Sequence, residues 1–460
     1  MQRLLIVGAG VAGKTLGEDL KKNGYKVIGF LDDKVSSQPG KTKVLGKLSD
    51  VNKVVKKEAI TDILISIPSA PSKLIRDFIN SITSKKVKIS IIPRSFGIIA
   101  KETVSMRDVR DVDILNLIGR QPVKQQFMKA RKHFVDKTVV VTGAAGSIGS
   151  ELVRQLKLLK TKRIICVDWW ENGIFYLQQE LQNSDSIEYR IANIQNRKRL
   201  EAIFKETKPE VVFHAAAYKH VPLMQENAVE AFNNNVFGSL NIMELCIEHR
   251  IGEFVYVSTD KAVNPVNVMG TTKRIGEMLM EILADGQKTT KLTAVRFGNV
   301  LASNGSVIPT FQKQIDSGGP LTVTHPDITR FFMTISEAAQ LIIQSSTLGE
   351  NGEIFVLDMG EPVKIIDLAK SMIRLSGKNI EIEFIGLRPG EKLHEELSFT
   401  PDDVKRTNDE KIYINAHEKP FEYKKFFSEI KSLIKETTIS AISDDDLKKV
   451  MIKMGFRLKK

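Results

Sequence analysis

Cysteine is nearly absent: Cys166 and Cys246 are the only two in 460 residues, and each lies inside an apolar run. Two thiols cannot build a disulfide framework and are too few for a zinc site, so the chain fits a reducing cytoplasm. Long apolar runs are missing as well. No stretch approaches the roughly 18–20 residues that span a bilayer. The short apolar run Leu4–Ala9 leads straight into glycines, which is not the pattern of a signal peptide. A soluble, cytoplasmic protein is expected. Aromatic residues make up 7% of the chain, and no aromatic-interleaved basic patch of the nucleic-acid type is present. The formal charge of +13 is spread as single lysines and pairs, such as Lys21-Lys22 and Lys56-Lys57. Two segments are denser, Lys124–Lys137 and Leu447–Lys460. No nucleic-acid partner is expected. A phosphorylated substrate suits this charge, and the basic tail offers a peripheral contact with anionic membrane.

The length leaves room for two or three domains. Residues 3–8 read as a buried strand that enters Gly8-Ala9-Gly10-Val11-Ala12-Gly13, followed by a helical segment and a strand, Lys26–Leu31, ending in Asp32-Asp33. Further apolar runs, Asp62–Ile67 and Val87–Ile92, continue a strand–helix alternation of the doubly wound type. Gly8 to Thr15 also satisfies the phosphate-loop pattern, with Lys14 and Thr15 in the critical places. A phosphate-loop NTPase would want a magnesium-binding acid after a buried strand, whereas Ile63–Ile67 ends in Pro68. Asp32 and Asp33 sit where ribose-binding acids belong, which favours the dinucleotide type.

At Lys137 the grammar restarts. Thr138–Val141 is a β-branched strand, and Gly143-Ala144-Ala145-Gly146-Ser147-Ile148-Gly149 is a glycine-rich turn into a helix. In such a turn one glycine makes the bend, one lets backbone approach a pyrophosphate, and one lets helix and strand pack closely. Strand Arg163–Val167 ends at Asp168, where an acid can bond the adenosine ribose. The next residues are Trp169, Trp170 and Glu171, with no basic side chain for a 2′-phosphate, so NAD is favoured over NADP. Val211–His214, Phe254–Ser258 and Leu292–Arg296 are further clear strands. The expected fold is α/β with two Rossmann-like, doubly wound parallel-sheet domains. They divide as 1–122, a linker helix 123–136, a catalytic domain 137–415, and a basic helical tail 416–460.

Strand Phe254–Ser258 leads into Thr259-Asp260-Lys261 and then Met269-Gly270-Thr271-Thr272-Lys273. The Met269-xxx-Lys273 spacing sits where short-chain dehydrogenases carry Tyr-xxx-Lys. The run resembles the polysaccharide-biosynthesis nucleotide-sugar 4,6-dehydratases, extended short-chain dehydrogenases whose best-known members act on UDP-N-acetylglucosamine. Supporting segments are His214–Pro222, Arg296–Leu301, Gly305–Pro309, Val323–Arg330 and Gly386–Lys392. The match covers about residues 115–415 and places a small substrate lobe mainly at 300–400. The N-terminal domain resembles the one that precedes the catalytic unit in large members. Those members usually carry membrane helices before it, and this chain starts inside it. Two further departures are Asn193 in place of the family's acid and Ala302-Ser303-Asn304 in place of Gly-Ser-Arg.

The resemblance implies a redox-neutral reaction on a UDP-sugar, most closely UDP-N-acetylglucosamine. Sugar C4 is oxidised with NAD as hydride carrier, C5 loses a proton, the C6 hydroxyl leaves as water, and C6 is reduced. It makes Asp260 the acid for the leaving hydroxyl and Lys261 the C5 base, which requires a lysine pKa well below about 10.4. Lys273 would hold the nicotinamide ribose. Met269 has no exchangeable proton, so Thr259 or Lys261 must activate the C4 hydroxyl. Gly143, Gly146, Ser147, Ile148, Gly149, Asp168, Asn193, Ala215 and Ala216 are expected around the cofactor. Lys219, His220, Asn299, Arg388 and Glu391 are expected at the substrate, Arg388 suiting a diphosphate. His214 and His220 lack metal-ligand spacing, and no metal is expected. A homo-oligomer is the expected assembly. An epimerase or decarboxylase on the same fold is the alternative enzyme, and an NAD-binding regulator without turnover is the alternative outside enzymes.

Overall fold

The computed structural model describes residues 2–35, 43–92, 109–118, 127–182, 184–301, 303, 305–398, 404–415, 423–439 and 442–459. Ala302 and Asn304, residues 123–126 of the expected linker and 416–422 of the tail lie outside the described residues. The chain divides into two compact units. The first comprises Met1–Pro122, Gly305–Ile328 and Val363–Gly386; the second comprises Val123–Asn304, Thr329–Pro362 and Leu387–Lys460.

In the first unit the strands are β1 (Arg3–Val7), β2 (Lys26–Leu31), β3 (Val44–Gly46), β4 (Asp62–Ile65), β5 (Lys88–Ile91) and β6 (Arg110–Asp111). They lie in the order β3-β2-β1-β4-β5-β6, parallel except for β6. This is the dinucleotide-binding order, with its switch point between β1 and β4. The grouping of 305–328 and 363–386 with this unit differs from the contiguous division drawn from sequence, and it has local causes. Strand Leu321–Val323 pairs with Ile382–Phe384. Helix Ile365–Ser376 is tied to the first unit's own backbone: Arg374 Nε donates to the Ile82 carbonyl at 3.0 Å, and Ser371 Oγ to Asn80 Oδ1 at 2.9 Å.

The second unit repeats the order. Its strands are β7 (Thr138–Thr142), β8 (Arg163–Asp168), β9 (Ile187–Ile191), β10 (Val211–His214), β11 (Glu253–Val257) and β12 (Lys291–Arg296). They run β9-β8-β7-β10-β11-β12, all parallel. Ile354–Leu357 adds in parallel, and Ile412–Asn415 and Val404–Arg406 close the edge antiparallel. The Val- and Ile-rich runs form strands here because both faces are covered. Val140, Ile165, Val212 and Phe254 point into one core, and their neighbours Val139, Val141, Ile164 and Phe213 into the other. Cys166 and Cys246 are buried, one in each core, and burial pushes both thiols far above the ordinary range. They are structural apolar residues.

Helix Phe127–Phe134 precedes β7. The tail is helical at Tyr423–Ile439 and Asp444–Lys453, and its Phe426, Ile430, Leu433, Leu447 and Met451 belong to the core beside β11. The apolar side of the tail is therefore used inside the unit, at roughly 1.5–3 kcal/mol for each large side chain buried. Among the described residues no helix is long and apolar enough to cross a membrane.

Candidate active site

The dinucleotide end is built by three glycines with three different constraints. Gly143 leaves β7 at φ +69°, and a Cβ there would stand 2.6 Å from the backbone nitrogen of Ala216, beyond the end of β10. Gly149 packs helix Ser147–Leu158 onto the turn, since a Cβ would strike the Gly143 carbonyl and lie 2.7 Å from its carbon. Gly146, the helix N-cap, meets nothing closer than the Gly143 oxygen at 3.2 Å. Its open side faces outward from a helix N-terminus, where unpaired N–H groups suit a pyrophosphate. Gly143, Gly146, Asp168, Ala215 and Ala216 line one cavity of about 250 Å³ together with Trp169, Trp170 and Tyr218. Ser147 and Ile148 open the helix. This cradle fits a dinucleotide.

Asp168 does more than end a strand. Its Oδ2 accepts from the Ala145 N–H at 3.0 Å and its Oδ1 from Trp170 N–H at 3.0 Å, so it ties the glycine turn to β8. Burial raises its pKa and outweighs these backbone donors. The first unit repeats the device: Asp32 Oδ2 accepts from Ala9 N–H at 2.7 Å. Asn193 is exposed, with its Oδ1 engaged by Gln195 N–H at 2.9 Å, although its neighbours Ala192 and Ile194 line the cavity.

The chemical end follows β11. Thr259 caps a short 3-10 turn, Asp260–Ala262, and helix Val268–Asp285 then starts at Asn267, whose side chain accepts from Gly270 N–H at 2.7 Å. Gly270 packs against the Lys261 carbonyl, where any Cβ would collide. That contact seats the first turn of the helix on the Lys261 turn. Lys273 lies three residues further along, 4% exposed, with Nζ 3.8 Å from the Tyr256 ring centroid. Burial pulls its pKa down to about 7 despite the charge of Glu277. Met269 is packed in the same core as Tyr256 and Val268.

Lys261 is the hub of a charged cluster. Its Nζ lies 3.0 Å from Asp260 Oδ1, 3.2 Å from Asn299 Oδ1 and 3.5 Å from Glu395 Oε1. Thr259 Oγ1 donates to the same Asp260 oxygen at 2.9 Å. Asp260 is 0% exposed, and its other oxygen has no hydrogen-bond partner. Burial and the charge of Glu395 raise its pKa against the pull of Lys261. For Lys261 burial acts downward, but Asp260 and Glu395 outweigh it and the net shift is upward. This corrects the expectation of a lowered lysine. The resting site holds an ammonium, because two carboxylates face it.

Among the expected substrate residues, Lys219 Nζ donates to Ser303 Oγ at 3.4 Å, and burial followed by the charge of Lys261 lowers its pKa. His220 is the N-cap residue of helix Val221–Glu226. Glu391 pairs with Arg330 at 3.0 Å and accepts from the Arg388 N–H at 3.1 Å, while the Arg388 side chain is exposed. His214 is fully buried between Thr142 and Ser239 hydroxyls, and burial holds it neutral by lowering its pKa to about 3.

The profile of the polysaccharide biosynthesis protein family matches residues 139–417. The chain belongs to that family. A CoA-binding domain profile matches residues 1–93. The capsular polysaccharide biosynthesis protein CapD of Staphylococcus aureus is 44% identical over 407 residues, covering 85% of this chain and 68% of CapD. UDP-glucose 4-epimerase of Rickettsia akari is 36% identical over 282 residues, covering 59% of this chain and 80% of the relative. The solved structure of Pen from Bacillus thuringiensis aligns with a TM-score of 0.58 at 31% identity, over 70% of this chain and 99% of that one.

Sequence reasoning missed the side chains that hold this family member's site together. Glu395 was not singled out, although it follows the Gly386–Lys392 loop directly. Arg296 and Glu277, both 0% exposed, form a two-pronged ion pair at 2.7 Å for each contact. Ser258 Oγ donates to Glu277 at 2.6 Å and Arg274 joins at 3.2 Å. The network fixes β12, the helix carrying Lys273 and the residue before Thr259. A buried Glu in a helix and an Arg at a strand end were the available signals.

Proposed function

We propose that the chain catalyses NAD-dependent dehydration of a UDP-N-acetylhexosamine, UDP-N-acetylglucosamine first among them, to the UDP-4-keto-6-deoxy sugar. The observation that carries this reading is the Asp260–Lys261 pair, 3.0 Å apart, with a buried free carboxylate oxygen. A proton passing from Lys261 Nζ to Asp260 breaks one N–H bond and makes one O–H bond. It leaves a neutral amine and a carboxylic acid side by side, in a site where burial disfavours the charged pair. The amine is the C5 base and the acid protonates the departing C6 hydroxyl. Thr259, whose hydroxyl donates to Asp260, would accept the hydrogen bond of the C4 hydroxyl; as hydride leaves C4 that proton would pass through the Lys261 amine to solvent, which returns one to Asp260 when the cycle closes. Lys273 holds the nicotinamide ribose. Bound NAD would supply the hydride acceptor and donor that keep the reaction redox-neutral. Asp168, with Trp169 and Trp170 after it, supports NAD over NADP. Arg388 and Glu391 are assigned to the UDP diphosphate and ribose.

Relatives named UDP-glucose 4-epimerase favour a second reading, epimerisation on the same scaffold. An epimerase eliminates nothing and needs no acid for a leaving hydroxyl, the role the dehydratase reading gives to Asp260. Incubation with UDP-N-acetylglucosamine and NAD in deuterated water, read by mass spectrometry and NMR, decides. Dehydration gives a product short of one water with deuterium at C5; a product of unchanged composition means epimerisation. No conversion of any UDP-sugar by a chain that binds NAD would leave the regulator.

A further inference from the structure

Glu395 is unusual among the carboxylates of the second unit. Its side chain is 3% exposed, yet it belongs to an irregular segment between the Gly386–Lys392 loop and residue 398, with no helix or strand to require its burial. Its Oε1 lies 3.5 Å from Lys261 Nζ and 3.8 Å from Arg330 Nε, while its Oε2 is buried with no hydrogen-bond partner. Burying an ionised carboxylate so incompletely bonded is unfavourable unless nearby positive charge compensates. The charged groups around Lys261 are Asp260 from its own turn, Glu395, Arg330 from strand Thr329–Arg330, and Lys219 from the loop after β10. Arg330 is shared with Glu391 at 3.0 Å, so it is only partly available to Glu395. Glu395 is thus the second anion on Lys261, 3.5 Å away and brought from a segment distant in sequence.

Resting on the dehydratase reading, we propose that Glu395 is a positioning residue that fixes the Lys261 amine between Asp260 and Asn299 and keeps one transferable proton within the Asp260–Lys261 pair. Without that second anion the pair gives up its proton at lower pH, and the neutral amine beside a carboxylic acid is no longer available at neutral pH.

The test uses the full chain and the variants E395Q and E395D. The ionisation of Lys261 is read without turnover, as the pH midpoint of its labelling by acetic anhydride, followed on the Lys261 peptide by mass spectrometry. In E395Q the midpoint is expected to move down by about one pH unit or more, the range for losing an opposite charge within about 4–6 Å. E395D, one methylene shorter, moves it part of the way. In turnover of UDP-N-acetylglucosamine, the alkaline limb of the kcat profile follows the same shift. E395Q kcat at pH 7 falls by up to about a hundredfold with little change in KM, and E395D recovers part of the loss. Labelling midpoints in both variants that coincide with the wild type would overturn the proposal, whatever happens to activity. A wild-type chain that dehydrates no UDP-sugar would instead remove the dehydratase reading, while the labelling still decides what Glu395 does to Lys261.

Discussion

Replacing Glu277 by glutamine keeps the side-chain shape and removes one charge from the most deeply buried ion pair among the described residues of the second unit. Arg296 and Glu277 are both 0% exposed and meet through two contacts of 2.7 Å. Removing the carboxylate takes the counter-charge from a buried arginine, which costs about 3–5 kcal/mol. That is a large share of the roughly 5–15 kcal/mol that holds a domain folded. Trp169 and Trp170 are the only tryptophans and both lie in the second unit, so their fluorescence during urea unfolding reports that unit alone. The pH dependence has a definite sign. Burial pushes the Glu277 carboxyl up, but Arg296, then Arg274 and Ser258, push harder, and its pKa is lowered. Its contribution is therefore fully present above the unfolded value of about 4.3 and is lost as pH falls through the folded value. The gap between wild type and E277Q should be widest above the unfolded value of about 4.3 and narrow as pH falls below it. Exchanging both partners, as E277L with R296M, should lose less than E277Q alone, because the Arg296 charge is gone with its partner and Arg274 keeps Glu281 at 3.6 Å. A loss under about 1 kcal/mol at pH 7, the value of an exposed pair, would refute the reasoning.

Three further outcomes are expected. G149A should destabilise the second unit by about 1–3 kcal/mol, since its Cβ meets only backbone, whereas G146A should fold as wild type and lose NAD affinity in a direct binding titration. K273M should remove a pH effect: the wild type gains stability as pH rises from about 7 towards the unfolded lysine value of about 10.4, because burial penalises the charged amine, and the variant should lack that rise in fluorescence-monitored unfolding. K261M should lower turnover of UDP-N-acetylglucosamine by about 10²–10⁴ and suppress deuterium incorporation at C5; unchanged incorporation would exclude Lys261 as the base.

Local chemistry is what the amino-acid order determined by itself. The runs Thr138–Thr142 and Arg163–Asp168 are β-branched and apolar because both faces of a parallel strand are buried, and that is legible without a structure. The spacing Gly143, Gly146, Gly149 is legible as a turn motif, since Gly146 and Gly149 answer constraints within the turn, whereas the Ala216 backbone that crowds Gly143 comes from across the sheet. The order Thr259-Asp260-Lys261 followed by Lys273 was equally open, since all of it lies on one strand end and the next helix. Charge state was not. Lys261 is held protonated by Asp260 beside it and by Glu395, which the chain brings back from a distant irregular segment, and Lys273 is pulled towards neutrality by burial alone. Asp32 and Asp168 read as ribose ligands, while the fold also uses them to pin the glycine turns. Tertiary structure likewise decided that the basic tail fills a core and that Arg296 finds Glu277. Desolvation and Coulomb energy depend on which distant side chains close around a group, and no window of neighbouring residues contains that information.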